Sequence, residues 1–317
     1  MKIADITKEI MGLEKVYILV HVSPDGDALG SSLALCEFLR TQGKTADVVL
    51  EAPVPEGYAF MNPQALSIAE AKQPRDVIVL DCGDLARTGL AREVYDRSGK
   101  KVVVDHHATN SGFGDICLVM GDMSSTGEII CRIIEETGCG FNERIAFLLY
   151  SAIMSDTGGL RYSCATPETV RTVAKLMEYD IDTAYINRML FENNPLYKIK
   201  LKGMVISTLK VACQGKMAMV HVTKEMLAQA GATDESTEGF VNIPRSVEGV
   251  EIGVFLKERE GEIRVSLRSN AYADVSRIAA QLGGGGHFHA GGCSVKGSME
   301  EAEKIITRKA EELLQGK

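Results

Sequence analysis

Five short apolar runs, Val16–Val20, Ala46–Leu50, Val77–Leu80, Lys101–Val104 and Ile116–Val119, occupy the first part of the chain with almost no polar alternation. Such runs predict strands buried on both faces, as in a parallel sheet covered by helices. The segments between them carry helical signals. A helix is expected over Ile3–Gly12, and a second opens at Gly30-Ser31-Ser32, runs through Leu39 and stops near Gly43. Further helices are expected to open within Met123–Glu128, where Ser or Thr caps and Glu128 lies near the first turn, across the apolar stretch Asn142–Ser155, and at Thr166-Pro167-Glu168. Asn193-Asn194-Pro195 breaks the pattern, and a differently composed half follows. There Met217–Val222, Val250–Leu256 and Glu262–Leu267 read as strands, the last two joined as a hairpin across Glu258–Gly261. Asp274–Leu282 and Met299–Leu314 read as helices. The expectation is an α/β protein with a mainly parallel sheet flanked by helices over 1–190, a linker helix over 191–210, and a second, smaller α/β domain over 211–317.

The polar residues that interrupt this pattern fall at one kind of place. Val16–Val20 ends on His21, followed by a turn forced by Pro24 and Gly26 that carries Asp25 and Asp27. Val77–Leu80 ends on Asp81, Lys101–Val104 on Asp105-His106-His107, and the apolar helix on Asp156. The carboxyl ends of parallel strands are where open α/β sheets hold their ligands. Asp25-Gly26-Asp27 by itself reads equally as a solvated turn or part of a calcium loop; the partners supplied by the other strand ends change the picture. His21, Asp25, Asp27, Asp81, His106 and Asp156 suit two divalent cations, which in phosphatases and nucleases lie roughly 3.5–4 Å apart and share a bridging ligand. Asp81, on the middle strand, is the expected bridge. His21 and Asp25 complete one site, and Asp27, His106 and Asp156 the other. Mixed carboxylate and imidazole donors suit Mn²⁺ best, with Mg²⁺, Fe²⁺, Co²⁺ or Zn²⁺ open. The hydroxyls of Ser124, Ser125 and Thr126 are read as helix caps rather than catalytic groups.

Composition narrows the partners. A formal net charge of -8 over 317 residues argues against adhesion to long nucleic acid, duplexes included, which relies on many Lys and Arg contacts to phosphate. A short anionic substrate stays compatible, because bound cations reverse the local field. The eight cysteines are scattered without a Cys-x-x-Cys pair and predict reduced thiols. With no long apolar run and no apolar leader, the expectation is a cytoplasmic protein with no membrane partner. The sequence leaves the oligomeric state open and allows a homodimer.

The stretches His21-x-x-Pro-Asp-Gly-Asp-Ala-Leu-Gly-Ser-Ser, Asp81-x-Gly-Asp, Asp105-His-His and Ser155-Asp-Thr-Gly resemble, in order, the four motifs of the DHH phosphoesterases. Gly283-Gly-Gly-Gly-His-x-x-Ala-Gly-Gly resembles the signature of their DHHA1 substrate domain, so the likeness spans nearly the whole chain. It is nearest to bacterial proteins that act as oligoribonucleases on very short RNAs and as phosphatases of 3′-phosphoadenosine 5′-phosphate. The resemblance implies a two-manganese site with the ligands above, a catalytic His107 facing substrate phosphate, and Asp105 orienting a histidine from behind. One departure is Ser23, where Asn is common in the family.

The second domain is expected to lie across a cleft from the first and to select the phosphate ester. Gly284, Gly285 and Gly286 bring backbone N–H groups to an anion, Arg268 grips phosphate as a fork, and His287 adds a hydrogen bond or stacks on a base. Asn270 is a further substrate candidate, balanced against a turn role. His289 is read as a partly exposed loop histidine. The expected activity is hydrolysis of short oligoribonucleotides to nucleoside 5′-monophosphates, with 3′-phosphoadenosine 5′-phosphate as a second substrate. The alternatives are a linear or cyclic dinucleotide phosphodiesterase, a manganese pyrophosphatase, and an inactive nucleotide-binding module.

Overall fold

The computed structural model describes residues 1–237 and 239–315. The chain divides into two compact units, Met1–Asn193 and Asn194–Lys317.

In the first unit, helix α1 (Ile3–Met11) leads into strand β1 (Lys15–Leu19), helix α2 (Gly26–Thr41) and strand β2 (Thr45–Leu50). Strands β3 (Ala65–Ser67) and β4 (Asp76–Leu80) follow, then helix α3 (Arg92–Arg97) and strands β5 (Lys101–Asp105) and β6 (Ile116–Val119). Four helices complete the unit: α4 (Thr126–Glu136), α5 (Glu143–Asp156), α6 (Pro167–Leu176) and α7 (Thr183–Phe191). The six strands form one sheet in the order β3-β2-β1-β4-β5-β6, and every neighbouring pair is parallel. Ile18, Ile78 and Val102 face the larger of two apolar layers, Tyr17, Val77 and Val103 the smaller one on the opposite face. Burial on both faces is why these strands read as continuous apolar runs.

The strand order reverses between β1 and β4, which share a hydrogen-bonded edge. A crevice opens at the carboxyl ends of strands at such a switch point. His21 follows β1 there, and Asp81 follows β4 directly. Helix α2 starts at Gly26, four residues before the expected opening, because Asp25 caps it through bonds from the N–H groups of Asp27 and Ala28. Asp25 thus sits at the cap and Asp27 in the first turn. The short strand β3, preceded by a loop rich in proline, had no recognisable sequence signal.

In the second unit, helix α8 (Leu196–Ile206) packs Leu201 and Val205 against Val220 and Phe255 of that unit's sheet. Strands β7 (Lys210–Ala212) and β8 (Met217–Val222), helices α9 (Lys224–Ala230) and α10 (Asn242–Arg245), and strands β9 (Ile252–Glu258) and β10 (Glu262–Ser269) follow. Helix α11 (Ser276–Gln281), strands β11 (Gly285–His287) and β12 (Ala290–Lys296), and helix α12 (Met299–Gln315) end the chain. The sheet order is β11-β12-β10-β9-β8-β7, antiparallel except for β8 and β9. Two sequence expectations need correction. Helix α11 is shorter than Asp274–Leu282, since Asp274 bonds the N–H and hydroxyl of Ser276 ahead of the helix. The glycine run is not simply a loop: Gly285, Gly286 and His287 pair with Gly292, Gly291 and Ala290 as an edge strand.

Candidate metal centre

Each candidate ligand of the first unit is fixed by a backbone or side-chain contact of its own. His21 places Nδ1 2.8 Å from the carbonyl oxygen of Val22, so the Nδ1–H donates there and Nε2 keeps its lone pair. Asp25 uses Oδ1 for its capping bonds, both 3.1 Å, and turns Oδ2 toward His21 Nε2 at 3.8 Å. Asp27 is buried, and its oxygens accept the N–H groups of Thr126 at 2.7 Å and Gly127 at 2.8 Å from the start of α4. Asp81 sits at φ +56°, a backbone region sparsely used by residues other than glycine, asparagine and aspartate.

The strained turn aims Asp81 into the group. Its Oδ2 lies 3.8 Å from His21 Nε2 and its Oδ1 3.5 Å from His106 Nε2. His106 Nε2 also lies 3.5 Å from Asp156 Oδ2, on the last residue of α5. Donor atoms of His21, Asp25 and Asp81 all fall within 4.8 Å of one another, and so do those of Asp27, His106 and Asp156. The same holds for Asp81, His106 and His107. Separations of 3.5–3.8 Å are too long for hydrogen bonds. They suit donors converging on a shared ion, because two atoms each about 2.1 Å from one cation stand roughly 3–4.2 Å apart. The donor set therefore fits divalent cations.

Electrostatics point the same way. Burial, then the Asp81, Asp156 and Asp25 carboxylates, push Asp27 well above the ordinary carboxylate range. Burial and Asp25 raise Asp81 against the pull of the histidines. Burial also carries Asp156 up to about 6, with Asp81 and Asp25 adding to it while His106 opposes. Burial depresses His21, but Asp25 and Asp81 more than offset this and leave it raised. Four acidic groups gathered around two imidazoles form a site whose charge a cation would neutralise.

His107 differs from the other two histidines. Its Nδ1–H donates to Asp105 Oδ1 at 2.7 Å, and this bond raises its pKa. Asp105 is buried, and its second oxygen accepts Asn110 Nδ2 at 2.7 Å. Burial alone would lift Asp105, but the bonds from His107 and Asn110 bring it below its usual value. The ring of His107 is about a third exposed.

Several positioning groups escaped sequence reasoning. Thr126, read only as part of a cap, donates its hydroxyl to Asp81 Oδ1 at 3.0 Å. Met123 places its carbonyl oxygen 3.4 Å from His106 Nδ1. Gly127 is needed for close approach, since a Cβ there would stand 2.6 Å from Ala152 Cβ and 3.2 Å from Asp27 Oδ1. Asn110 had no spacing signal at all. Ser23 adopts φ +51°, which asparagine tolerates more readily than serine.

The candidates of the second unit gather at one end of its sheet. Arg268 pairs in register with Ala290, and burial together with nearby Arg245 lowers its pKa. Asn270 donates Nδ2 to the carbonyls of Arg245 at 3.0 Å and Val250 at 2.8 Å, which ties down a turn. The run's own hairpin partner crowds two of its glycines. A Cβ on Gly284 would lie 2.1 Å from the Gly292 oxygen, and one on Gly286 2.2 Å from the Ala290 oxygen. Gly285 has open space instead, and His287 is exposed. His289 is exposed too, but it is held: Nδ1 lies 2.9 Å from Ser269 Oγ.

Residues 15–153 match the model of the DHH family, N-terminal domain, and residues 214–316 that of the DHHA1 domain. A Thermus thermophilus protein named bifunctional oligoribonuclease and PAP phosphatase NrnA is 32% identical over 98% of this chain and 93% of its own length. A Bacillus subtilis protein of the same name is 26% identical over 95% of this chain and 96% of its own. Among solved structures, an exopolyphosphatase-related protein from Bacteroides fragilis superimposes with a TM-score of 0.91 at 31% identity, covering 99% of this chain and 97% of the other. Two domain matches in order, and full-length likeness to these relatives around a carboxylate and imidazole cluster, establish that this chain belongs to the DHH family of phosphoesterases, with a DHHA1 domain in its second half.

Proposed function

We propose that this protein is a two-metal phosphoesterase that hydrolyses very short oligoribonucleotides to nucleoside 5′-monophosphates and also dephosphorylates 3′-phosphoadenosine 5′-phosphate. The observation that carries the reading is Asp81, whose Oδ2 faces His21 at 3.8 Å while its Oδ1 faces His106 at 3.5 Å. A carboxylate shared in this way suits a bridging ligand. His21 and Asp25 would hold one cation with it, and Asp27, His106 and Asp156 the other, with Mn²⁺ favoured by the mixed donors. Bound there, the cations would lower the pKa of water and stabilise the entering and leaving oxygens of an in-line displacement. The names of the Thermus and Bacillus relatives support the choice of substrates.

The chain's own residues complete the chemistry. His107, whose pKa the bond to Asp105 raises, would when protonated offer a cation to substrate phosphate or a proton to the leaving oxygen. Asn110 fixes Asp105 and so the face of the imidazole. In the second unit, Arg268, whose guanidinium can fork onto a phosphate, and the open Gly285 with exposed His287 would bind nucleotide groups. Substrate binding by Gly284 and Gly286 rests on their backbone alone, and Asn270 supports the site through its turn. A net charge of -8 and thiols that are all free among the described residues suit a cytoplasmic enzyme acting on short chains. No described helix is long and apolar enough to cross a membrane.

The test is a product time course with Mn²⁺ on a dinucleotide, a five-nucleotide RNA, 3′-phosphoadenosine 5′-phosphate, a cyclic dinucleotide and pyrophosphate. Release of mononucleotides from the short RNAs and of phosphate from 3′-phosphoadenosine 5′-phosphate is expected. Turnover of pyrophosphate alone, or of the cyclic dinucleotide alone, would replace this reading with one of its rivals.

A further inference from the structure

One short segment touches three of the six candidate ligands without contributing a ligand itself. Between Met123 and Gly127, the backbone and one hydroxyl reach His106 through the Met123 oxygen, Asp81 through Thr126 Oγ1, and Asp27 through the N–H groups of Thr126 and Gly127. The Thr126 hydroxyl bonds the same Asp81 oxygen that faces His106, so it sets the rotation of that carboxylate and leaves Oδ2 turned to His21.

The segment is itself held from behind by Glu128, which is 1% exposed. One Glu128 oxygen accepts the Ser124 hydroxyl at 2.6 Å, the Ser124 N–H at 3.3 Å and the Thr169 hydroxyl of α6 at 3.0 Å. Its other oxygen accepts Arg132 Nη2 at 3.1 Å. An ordinary cap needs none of this: Ser125 already caps α4 by accepting the Glu128 N–H at 3.1 Å. A carboxylate taken out of water is costly unless its oxygens are satisfied, and here they are spent on the loop that carries Thr126.

We infer that Thr126 and Glu128 are positioning residues for the metal centre: Thr126 fixes the orientation of Asp81, and Glu128 fixes the loop that presents Thr126, the Asp27-binding N–H groups and the His106-facing carbonyl. This inference rests on the metal-dependent reading above. It assigns to a helix-cap motif the outer support that metal ligands require for their alignment.

Calorimetric titration of the metal-free protein with Mn²⁺ alone tests this, with Thr126→Val, Thr126→Ser, Glu128→Gln and wild type compared. Outer-support losses commonly weaken metal binding by about 10–100-fold. Thr126→Val, which keeps the side-chain shape, is expected to weaken Mn²⁺ binding within that range, while Thr126→Ser restores it. Thermal unfolding without metal serves as the control for folding. If Thr126→Val does not fold, Glu128→Gln carries the comparison, with the same weakening expected. Saturating Mn²⁺ should recover much of kcat in either variant. Wild-type Mn²⁺ affinity in a folded Thr126→Val protein, or in folded Glu128→Gln if the valine variant fails, overturns the inference and leaves the proposed activity standing. A wild-type protein that binds no divalent cation overturns the functional reading itself.

Discussion

Asp25 accepts the backbone N–H of Asp27 on Oδ1 at 3.1 Å, so two carboxylates separated by one glycine are turned to different partners. Asp25 faces His21, whereas Asp27 is drawn to the start of α4 and gathers with His106 and Asp156. A helix cap thus divides neighbouring acids between two donor groups.

Asp81→Asn should abolish metal-dependent hydrolysis, with a loss of at least about 100-fold, since even the outer supports of metal ligands are commonly worth 10–100-fold. The same change should raise the melting temperature of the metal-free protein at neutral pH. Burial and Asp25 disfavour the charged form of Asp81, and the amide removes that charge. Turnover assays and thermal unfolding in chelator check both halves. Surviving Mn²⁺-dependent activity would remove Asp81 from the bridge.

Asp156 gives a pH signature. Its folded pKa lies at about 6, above the value of 3.8 for a free carboxyl. The stability it contributes is therefore complete below about 4 and is lost as pH rises through about 6. In metal-free protein, Asp156→Asn should come nearest to wild type near pH 3 and exceed it at pH 7.5, and Mn²⁺ should close the gap by stabilising only the wild type. Melting curves across that range, with and without Mn²⁺, measure this. A gap that shrinks with rising pH would contradict it.

His107→Gln should lower kcat by about 100-fold if the imidazole transfers a proton in the reaction. Asp105→Asn should act through the same ring. Without the carboxylate that raises the His107 pKa, the alkaline limb of the kcat/KM profile should move to lower pH. Rates from pH 6 to 10 show the shift, and an unmoved alkaline limb would mean that Asp105 has only a packing role.

Gly30→Ala tests the contact between α2 and α5. An added Cβ would lie 2.6 Å from the Leu148 carbonyl oxygen and 2.8 Å from Ala152 Cβ, neither of which can swing aside. Overpacking of this kind costs about 1–3 kcal/mol. Urea unfolding should show a lower midpoint with an unchanged slope, and because α2 carries Asp27 and α5 ends at Asp156, Mn²⁺ binding should weaken as well.

The strands of the first unit were legible because their apolar runs are buried on both faces, and His21, Asp81, Asp105 and His106 were legible because each stands at the end of such a run. The second unit was less so. Strand β12 alternates buried and exposed residues, but two glycines near its start carry no side-chain pattern and only Cys293-Ser294-Val295-Lys296 shows the period. The glycine run before it resembles an anion loop because its approaching partner, β12, lies several residues further on. Helix α2 starts ahead of its expected opening because Asp25, a metal donor by its place in the turn, also caps the helix.

By itself, the sequence determined the residue types, their place at strand ends, and the family to which the motifs belong. Only the tertiary structure decided which oxygen of Asp81 faces which histidine, and that the N–H groups of Thr126 and Gly127 reach back across about a hundred residues to Asp27. The reason is physical. Burial periodicity is written locally in a strand, but the orientation of a carboxylate depends on donors brought to it by other helices, and hydrogen bonds between distant segments leave no spacing in the chain.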